Sequence, residues 1–193
     1  ISKYIKSLGY RTMKEFKTEC MDNVSGFERT NITLFSLQKN TIEQFTDFTK
    51  DLICELYYAM EAIDEKKLCA LLQDLQKSKR VFVYGHGHAS TLCSYVQNEL
   101  SAKGKETVIC DVDFAKKYVF YESDILIIIS INGNTFHFEK EVIQNILNCS
   151  VNTWLISCKK NIDFSEKFLY IPTIKEKYNA IILRHMIDFI LLH

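Results

Sequence analysis

Two short segments hold the residues best suited to bind a charged ligand. The first, Gly85-His86-Gly87-His88-Ala89-Ser90, follows the apolar run Val81-Phe82-Val83-Tyr84. The second, Ser130-Ile131-Asn132-Gly133-Asn134-Thr135, follows the apolar run from Ile125 to Ile129. A buried strand that breaks into Gly, Ser, Thr and Asn and then enters a helix aims backbone N–H groups, hydroxyls and the helix dipole at one point. Such a point suits an anion, most often a phosphate. Gly133 permits the tight turn, Ser130 and Thr135 offer hydroxyls, and His86 and His88 are placed to contact the ligand. The expected ligand-binding set is Gly85, His86, Gly87, His88, Ser90, Ser130, Asn132, Gly133, Asn134 and Thr135. No metal ligand set is expected.

Strands and helices must bring the two loops together. Strand-like runs occur at 80–84, 106–110, 124–130, 151–157 and 167–171, with helical patterns at 90–103 and 136–148. Residues 112–123 form a less regular connection, and 158–166 are too short for a full helix. This alternation predicts an α/β fold with a five-stranded parallel doubly wound sheet, its ligand at the carboxyl ends of strands one and three. Upstream, Ile42, Phe45, Phe48, Leu52, Leu56 and Ala59 recur at helical spacing from Thr41 onward. Asp64 reads as the N-cap of a helix over 65–77. The last segment, 176–192, is apolar on most faces and is expected to be buried, partly against another subunit.

The chain has 193 residues, 47% of them hydrophobic, with Gly 6 and Pro 1, enough for one domain plus an appendage. Its net charge of zero argues against a polyanion binder by bulk electrostatics. Yet Lys3, Lys6, Arg11, Lys14 and Lys17 outnumber Glu15 and Glu19 at the start. Seven cysteines show no C-x-x-C pair, so reduced, buried thiols and a cytoplasmic setting are expected. No stretch is long and apolar enough for a membrane span, and no signal peptide is recognisable. The chain begins with Ile1 rather than Met, and it is expected to be part of something longer.

Gly85-x-Gly87-x-x-Ser90 resembles the dinucleotide fingerprint, with Asp111 where a ribose-binding acid would sit. His86 and His88 are bulky for that role, and a dinucleotide has no use for the second loop, so no cofactor is expected. The pair of loops is instead similar to those of the SIS (sugar isomerase) fold, whose third strand ends in S-x-S-G-x-T. Ser130, Gly133 and Thr135 match; Asn132 stands where the family usually has Ser, and Ala89 where its first loop usually has Ser. Residues 1–17, with L-G-Y-x-x-M-x-E-F over Leu8–Phe16, resemble the end of the helix-turn-helix of RpiR-type transcriptional regulators.

That resemblance implies three parts: the end of a helix-turn-helix over 1–20, a helical linker over 21–78, and a flavodoxin-like SIS domain over 79–193. It implies a phosphorylated sugar as effector, operator DNA contacted by Ser2, Lys3, Tyr4 and Lys6, a homodimer or higher homo-oligomer, and no catalytic residue. Two alternatives stay open. One is an aldose–ketose phosphate isomerase, for which His86, His88, Glu99, His137, Glu139 and His185 are the candidate bases. The other is a dimerisation module with a vestigial pocket, favoured by Ala89 and Asn132.

Overall fold

Runs of β-branched and aromatic residues form five strands: β1 (Arg80–Gly85), β2 (Glu106–Ile109), β3 (Asp124–Ser130), β4 (Asn152–Ser157) and β5 (Phe168–Tyr170). They pair in the order β2-β1-β3-β4-β5, every neighbour parallel. The computed structural model describes residues 40–134, 145, 148–162, 164 and 167–193. Its helices are α1 (Thr41–Ala62), α2 (Glu65–Lys77), α3 (His88–Ala102), the short α4 (Phe114–Lys117) and α5 (Asn179–Leu192). The helix expected over 136–148 falls mostly outside the described residues, although Asn145 and Asn148 are helical.

The chain divides into two units, Ile1–Thr49 and Lys50–His193. Of the first, the described part is the start of α1. Asn40 Oδ1 accepts from the Glu43 N–H at 2.9 Å, and Glu43 Oε2 accepts from the Asn40 N–H at 3.2 Å. This reciprocal pair satisfies two amides at the helix start. Ile42, Phe45 and Phe48 on this turn are exposed.

The second unit is built on the sheet. Side chains alternate across its faces with the two-residue period of a strand. Val81, Val83, Ile125, Ile127 and Ile129 join Leu71 and Leu75 of α2, Cys93 and Val96 of α3, and Leu183 and Ile187 of α5 in one core. Phe82, Tyr84, Leu126 and Ile128 face the opposite way, with Phe114 and Phe120. Phe82 meets Phe120 edge-on at 4.7 Å between centroids. All seven residues of β3 are buried, as suits the middle strand of a covered parallel sheet.

The irregular connection expected over 112–123 contains α4, one turn whose Phe114 is fully buried in the aromatic layer. The last segment is a 3-10 turn over Glu176–Tyr178 followed by α5. Helix α5 buries Ile182, Leu183, Ile187, Ile190 and Leu191 within the chain itself, while Ile181, Phe189 and Leu192 are exposed.

Two acid clusters fasten the amino-terminal ends of the strands. Asp74 Oδ2 of α2 accepts from Asn152 Nδ2 at 2.9 Å, Trp154 Nε1 at 2.8 Å and Lys167 Nζ at 2.9 Å. Asp124 pairs with Arg80, its register partner on β1, through Nε at 3.0 Å and Nη2 at 2.6 Å, and accepts from the Tyr121 N–H at 2.7 Å. Burial by itself would raise the Asp124 carboxyl. The Arg80 hydrogen bonds, the Tyr121 N–H and the Arg80 charge outweigh it and hold the group below the ordinary carboxylate value.

A depressed folded-state value means that this stabilisation is complete above the ordinary aspartate pKa of about 3.9 and is lost as pH falls through the lower folded value. Asp124→Ala leaves a guanidinium without its partner and is expected to lower stability by about 3 kcal/mol in urea unfolding at pH 7. Asp124→Asn is expected to flatten the acid limb of the stability–pH curve.

Candidate functional site

From β1 the chain crosses to β2 on one side and then returns to β3 on the other. The strand order reverses between β1 and β3, and the crevice beyond their carboxyl ends is where such sheets bind ligands. Gly85 pairs in register with Ile129, the residue before Ser130. Both candidate loops therefore leave the sheet side by side.

The first loop is a tight turn. The Ala89 N–H donates to the His86 carbonyl at 3.2 Å, and Gly87 has φ 58° and ψ −126°. This is the first central position of a type II′ turn, which requires glycine. Gly85 answers a different need: a Cβ there would lie 2.9 Å from Cys93 Sγ and 3.0 Å from Ala89 Cβ. Ala89 is itself buried against Gly85, so this position packs α3 onto the strand. His86 and His88 are exposed at the turn. The Ser90 hydroxyl donates to the Gly87 carbonyl at 2.7 Å and the Thr91 hydroxyl to the His88 carbonyl at 2.8 Å. Both hydroxyls are turned back on the first turn of α3.

In the second loop Gly133 has φ 77°, the left-handed region that favours glycine. A Cβ on it would meet Lys159 Cγ at 3.0 Å. Lys159 follows β4, and its aliphatic stem lies along the loop. The loop is also tied to β4 by the Cys158 N–H, which donates to the Ile131 carbonyl at 3.2 Å. Ser130 is 1% exposed, and its Oγ has no hydrogen-bond partner among the described residues. A buried hydroxyl without a partner costs free energy, which a ligand can recover.

Asn132, exposed on the same loop, accepts through Oδ1 from Asn179 Nδ2 at 2.7 Å. Asn179 is buried at the start of α5, and its own Oδ1 accepts from Thr173 Oγ1 at 2.6 Å. The segment between Thr173 and Asn179 is clamped to α1. Glu55, 2% exposed, accepts the Ile174 N–H at 2.8 Å and the Lys175 N–H at 3.0 Å. Asp51, one turn earlier, pairs with Lys175 Nζ at 2.7 Å.

The first loop, with Gly85, His86, Gly87, His88 and Ser90, thus leaves the strand adjacent to the one that ends at Ser130 and leads to Asn132, Gly133 and Asn134. Thr135, His137 and Glu139 lie outside the described residues, as do Ser2, Lys3, Tyr4 and Lys6. Glu99 sits on α3 roughly 16 Å along the helix from His88. His185 lines a separate cavity of about 490 Å³ together with Ile53, Leu56, Met60, Ile182 and Phe189 of α1 and α5. Among the described residues no three His, Cys, Asp or Glu side chains converge as a metal would need. Burial pushes the Cys93, Cys110 and Cys158 thiols up to about 12, which makes them inert packing groups. Cys54 and Cys69, expected to be buried, are exposed because they fall on the outer faces of α1 and α2. Among the described residues no helix is long and apolar enough to cross a membrane.

No sequence family and no curated relative matches this chain. Solved structures do. Vibrio vulnificus NanR complexed with ManNAc-6P aligns with a TM-score of 0.64 at 14% identity, over 100% of this chain and 72% of that one. The sugar isomerase domain of the RpiR transcription factor from Sphaerobacter thermophilus aligns at 0.60 and 14%, over 75% of this chain and 85% of that one. A phosphoheptose isomerase from Francisella tularensis aligns at 0.57 and 12%, over 80% of this chain and 100% of that one. The fold is that of the SIS domain.

Three residues around the SIS loops escaped the sequence reading. Lys159 could have been found as a cation two residues past the end of a strand, at the edge where such sheets bind ligands. Asn179 and Glu55 carried no such signal, since each acts through a partner more than forty positions away. Gly87→Ala meets no neighbour but must adopt a backbone conformation reserved for glycine, with an expected loss of about 1–3 kcal/mol. Gly85→Ala is expected to cost a similar amount by overpacking, about 1–3 kcal/mol, with part recovered in the Cys93→Ala background. Chemical denaturation of Gly87→Ala, Gly85→Ala, Cys93→Ala and the Gly85→Ala, Cys93→Ala double variant checks both.

Proposed function

We propose that this chain binds the phosphate of a phosphorylated sugar between the β1 and β3 loops, and that it is the effector-sensing part of a transcriptional regulator. The observation that carries the first half is the pair of glycine loops at the strand-order reversal, with the unpartnered Ser130 hydroxyl beneath them. The ligand-binding residues would be Gly85, His86, Gly87, His88, Ser90, Ser130, Asn132, Gly133, Asn134 and Thr135, with Lys159 supplying positive charge. ManNAc-6P, which the Vibrio vulnificus protein binds, is a first compound to try.

Two features support the regulatory half. Residues 1–17 resemble the end of an RpiR-type helix-turn-helix. The Glu55 and Asp51 clamp also gives α1 a direct tie to the segment that holds Asn132. Occupancy of the loop would pass through Thr173–Asn179 to α1, and from there to paired DNA-reading helices. On this reading residues 1–20 end the DNA-binding part, 21–78 link it, and 79–193 are the sensing domain. The working form is a cytoplasmic homodimer or higher homo-oligomer.

An isomerase would use the same pocket, and turnover separates the two. The experiment is calorimetric titration with a panel of sugar phosphates and their free sugars, followed by NMR of the bound compound for its aldose or ketose isomer. One sugar phosphate is expected to bind, its free sugar is not, and no isomer is expected to form. Ser130→Ala combined with Thr135→Ala is expected to abolish binding with the fold intact. Isomer accumulation would assign the chain to the enzymes. Unchanged affinity in the double variant would remove the second loop from the site.

A further inference from the structure

The hydrogen bonds behind the second loop have a direction. The Thr173 hydroxyl donates to Asn179 Oδ1 at 2.6 Å, and Asn179 Nδ2 donates to Asn132 Oδ1 at 2.7 Å. Each carboxamide has one acceptor end and one donor end. The acceptor end of Asn132 is therefore occupied, and its Nδ2 is a two-proton donor with no acceptor among the described residues. Asn132 is exposed on the loop, whereas Asn179 is only 3% exposed and is fixed at the base of α5. Were Asn179 alone to turn over, its oxygen would face the Asn132 oxygen at 2.7 Å, so the two amides can turn only together.

We propose that Asn179 is a positioning residue for the anion site. Held between Thr173 and the loop, it engages the Asn132 oxygen in the arrangement seen and leaves the Asn132 amide as the outward donor. The loop then presents a donor and no acceptor, which favours a group rich in acceptor oxygens, such as the ionised phosphate of a sugar phosphate, over a group that must donate. A hydroxyl residue at position 132 would do both, and this amide does one. The inference rests on the anion-site reading and goes beyond it by naming what sets the polarity of the loop.

Asn179→Asp is the discriminating change. An aspartate keeps the size of the side chain and the acceptor for Thr173, but it has no proton to give Asn132. Asn132 must then donate to it, which presents the Asn132 oxygen to the anion. The experiment is titration with inorganic phosphate of four proteins: the native chain, Asn179→Asp, Asn132→Ala and the double variant.

Asn179→Asp is expected to weaken phosphate binding by about tenfold, the scale of one charge-assisted hydrogen bond. In the Asn132→Ala background most of that loss is expected to vanish. Equal losses in the two backgrounds would mean that the new charge simply repels the anion, and the proposal falls while the site stands.

If Asn179→Asp does not fold, side-chain amide NMR of the native chain decides. Phosphate is expected to shift the Asn132 amide pair and to leave the Asn179 pair in place. A bound phosphate that leaves the Asn132 pair unmoved overturns the proposal. A native chain that binds neither phosphate nor any sugar phosphate overturns the anion site, and this inference with it.

Discussion

Six parallel residue pairs join β1 to β3, from Arg80 with Asp124 at one end to Gly85 with Ile129 at the other. Everything at the candidate site depends on this pairing. It buries both strands on both faces, which demands the unbroken apolar runs 81–84 and 125–129. It also forces two separate crossovers to leave the sheet at adjacent points, since β2 lies on one side and β4 on the other. The chain must turn sharply there twice, and a positive-φ glycine stands at each turn. The Arg80–Asp124 pair fixes the register at the far end. A slip by one residue would move every side chain of one strand into the opposite layer.

The second constraint is the use of one short segment for two purposes. Thr173 to Asn179 follows β5 and leads into α5. Its last residue donates a hydrogen bond to Asn132 on the β3 loop, while the backbone N–H groups of Ile174 and Lys175 are taken up by Glu55 of α1. Glu55 is a buried carboxylate whose two oxygens each accept one amide, so the helix and the segment are held in one relative position. On the proposed function, a phosphate at the loop would meet a side chain that is already hydrogen-bonded to the segment that grips α1. That arrangement suits a sensor, because binding energy spent at the loop is not confined to it.

Much of this was legible in the residues themselves. The five strands of a parallel sheet follow from apolar runs of the right length separated by helical patterns, and their flavodoxin-like order is what the SIS resemblance implied. The loops follow from glycine and hydroxyl residues at the ends of two of those runs. Gly87 and Gly133 have the positive φ that the turn reading demands. Ala89, a departure from the SIS pattern, has a packing reason: it lies against Gly85 at the start of α3. What the sequence hid is long-range. Asn132 and Asn179 are far apart along the chain, as are Glu55 and Lys175, and neither pair has a local pattern. The commitment of Ser90 and Thr91 to their own helix turn depends on rotamers that spacing does not determine. The terminal helix, read as burying its apolar surface partly against a second subunit, finds most of its cover in this chain's own core.

On the proposed function, the crevice between the β1 and β3 loops binds the anion. Backbone amide shift mapping during titration with N-acetylmannosamine 6-phosphate, with inorganic phosphate as the reference, tests it most directly. The largest shifts are expected at Gly87, Ser90, Asn132 and Gly133, reproduced in part by phosphate alone. Shifts gathered instead around Ile53, His185 and Phe189, with the two loops silent, would place the ligand in the apolar cavity and contradict it.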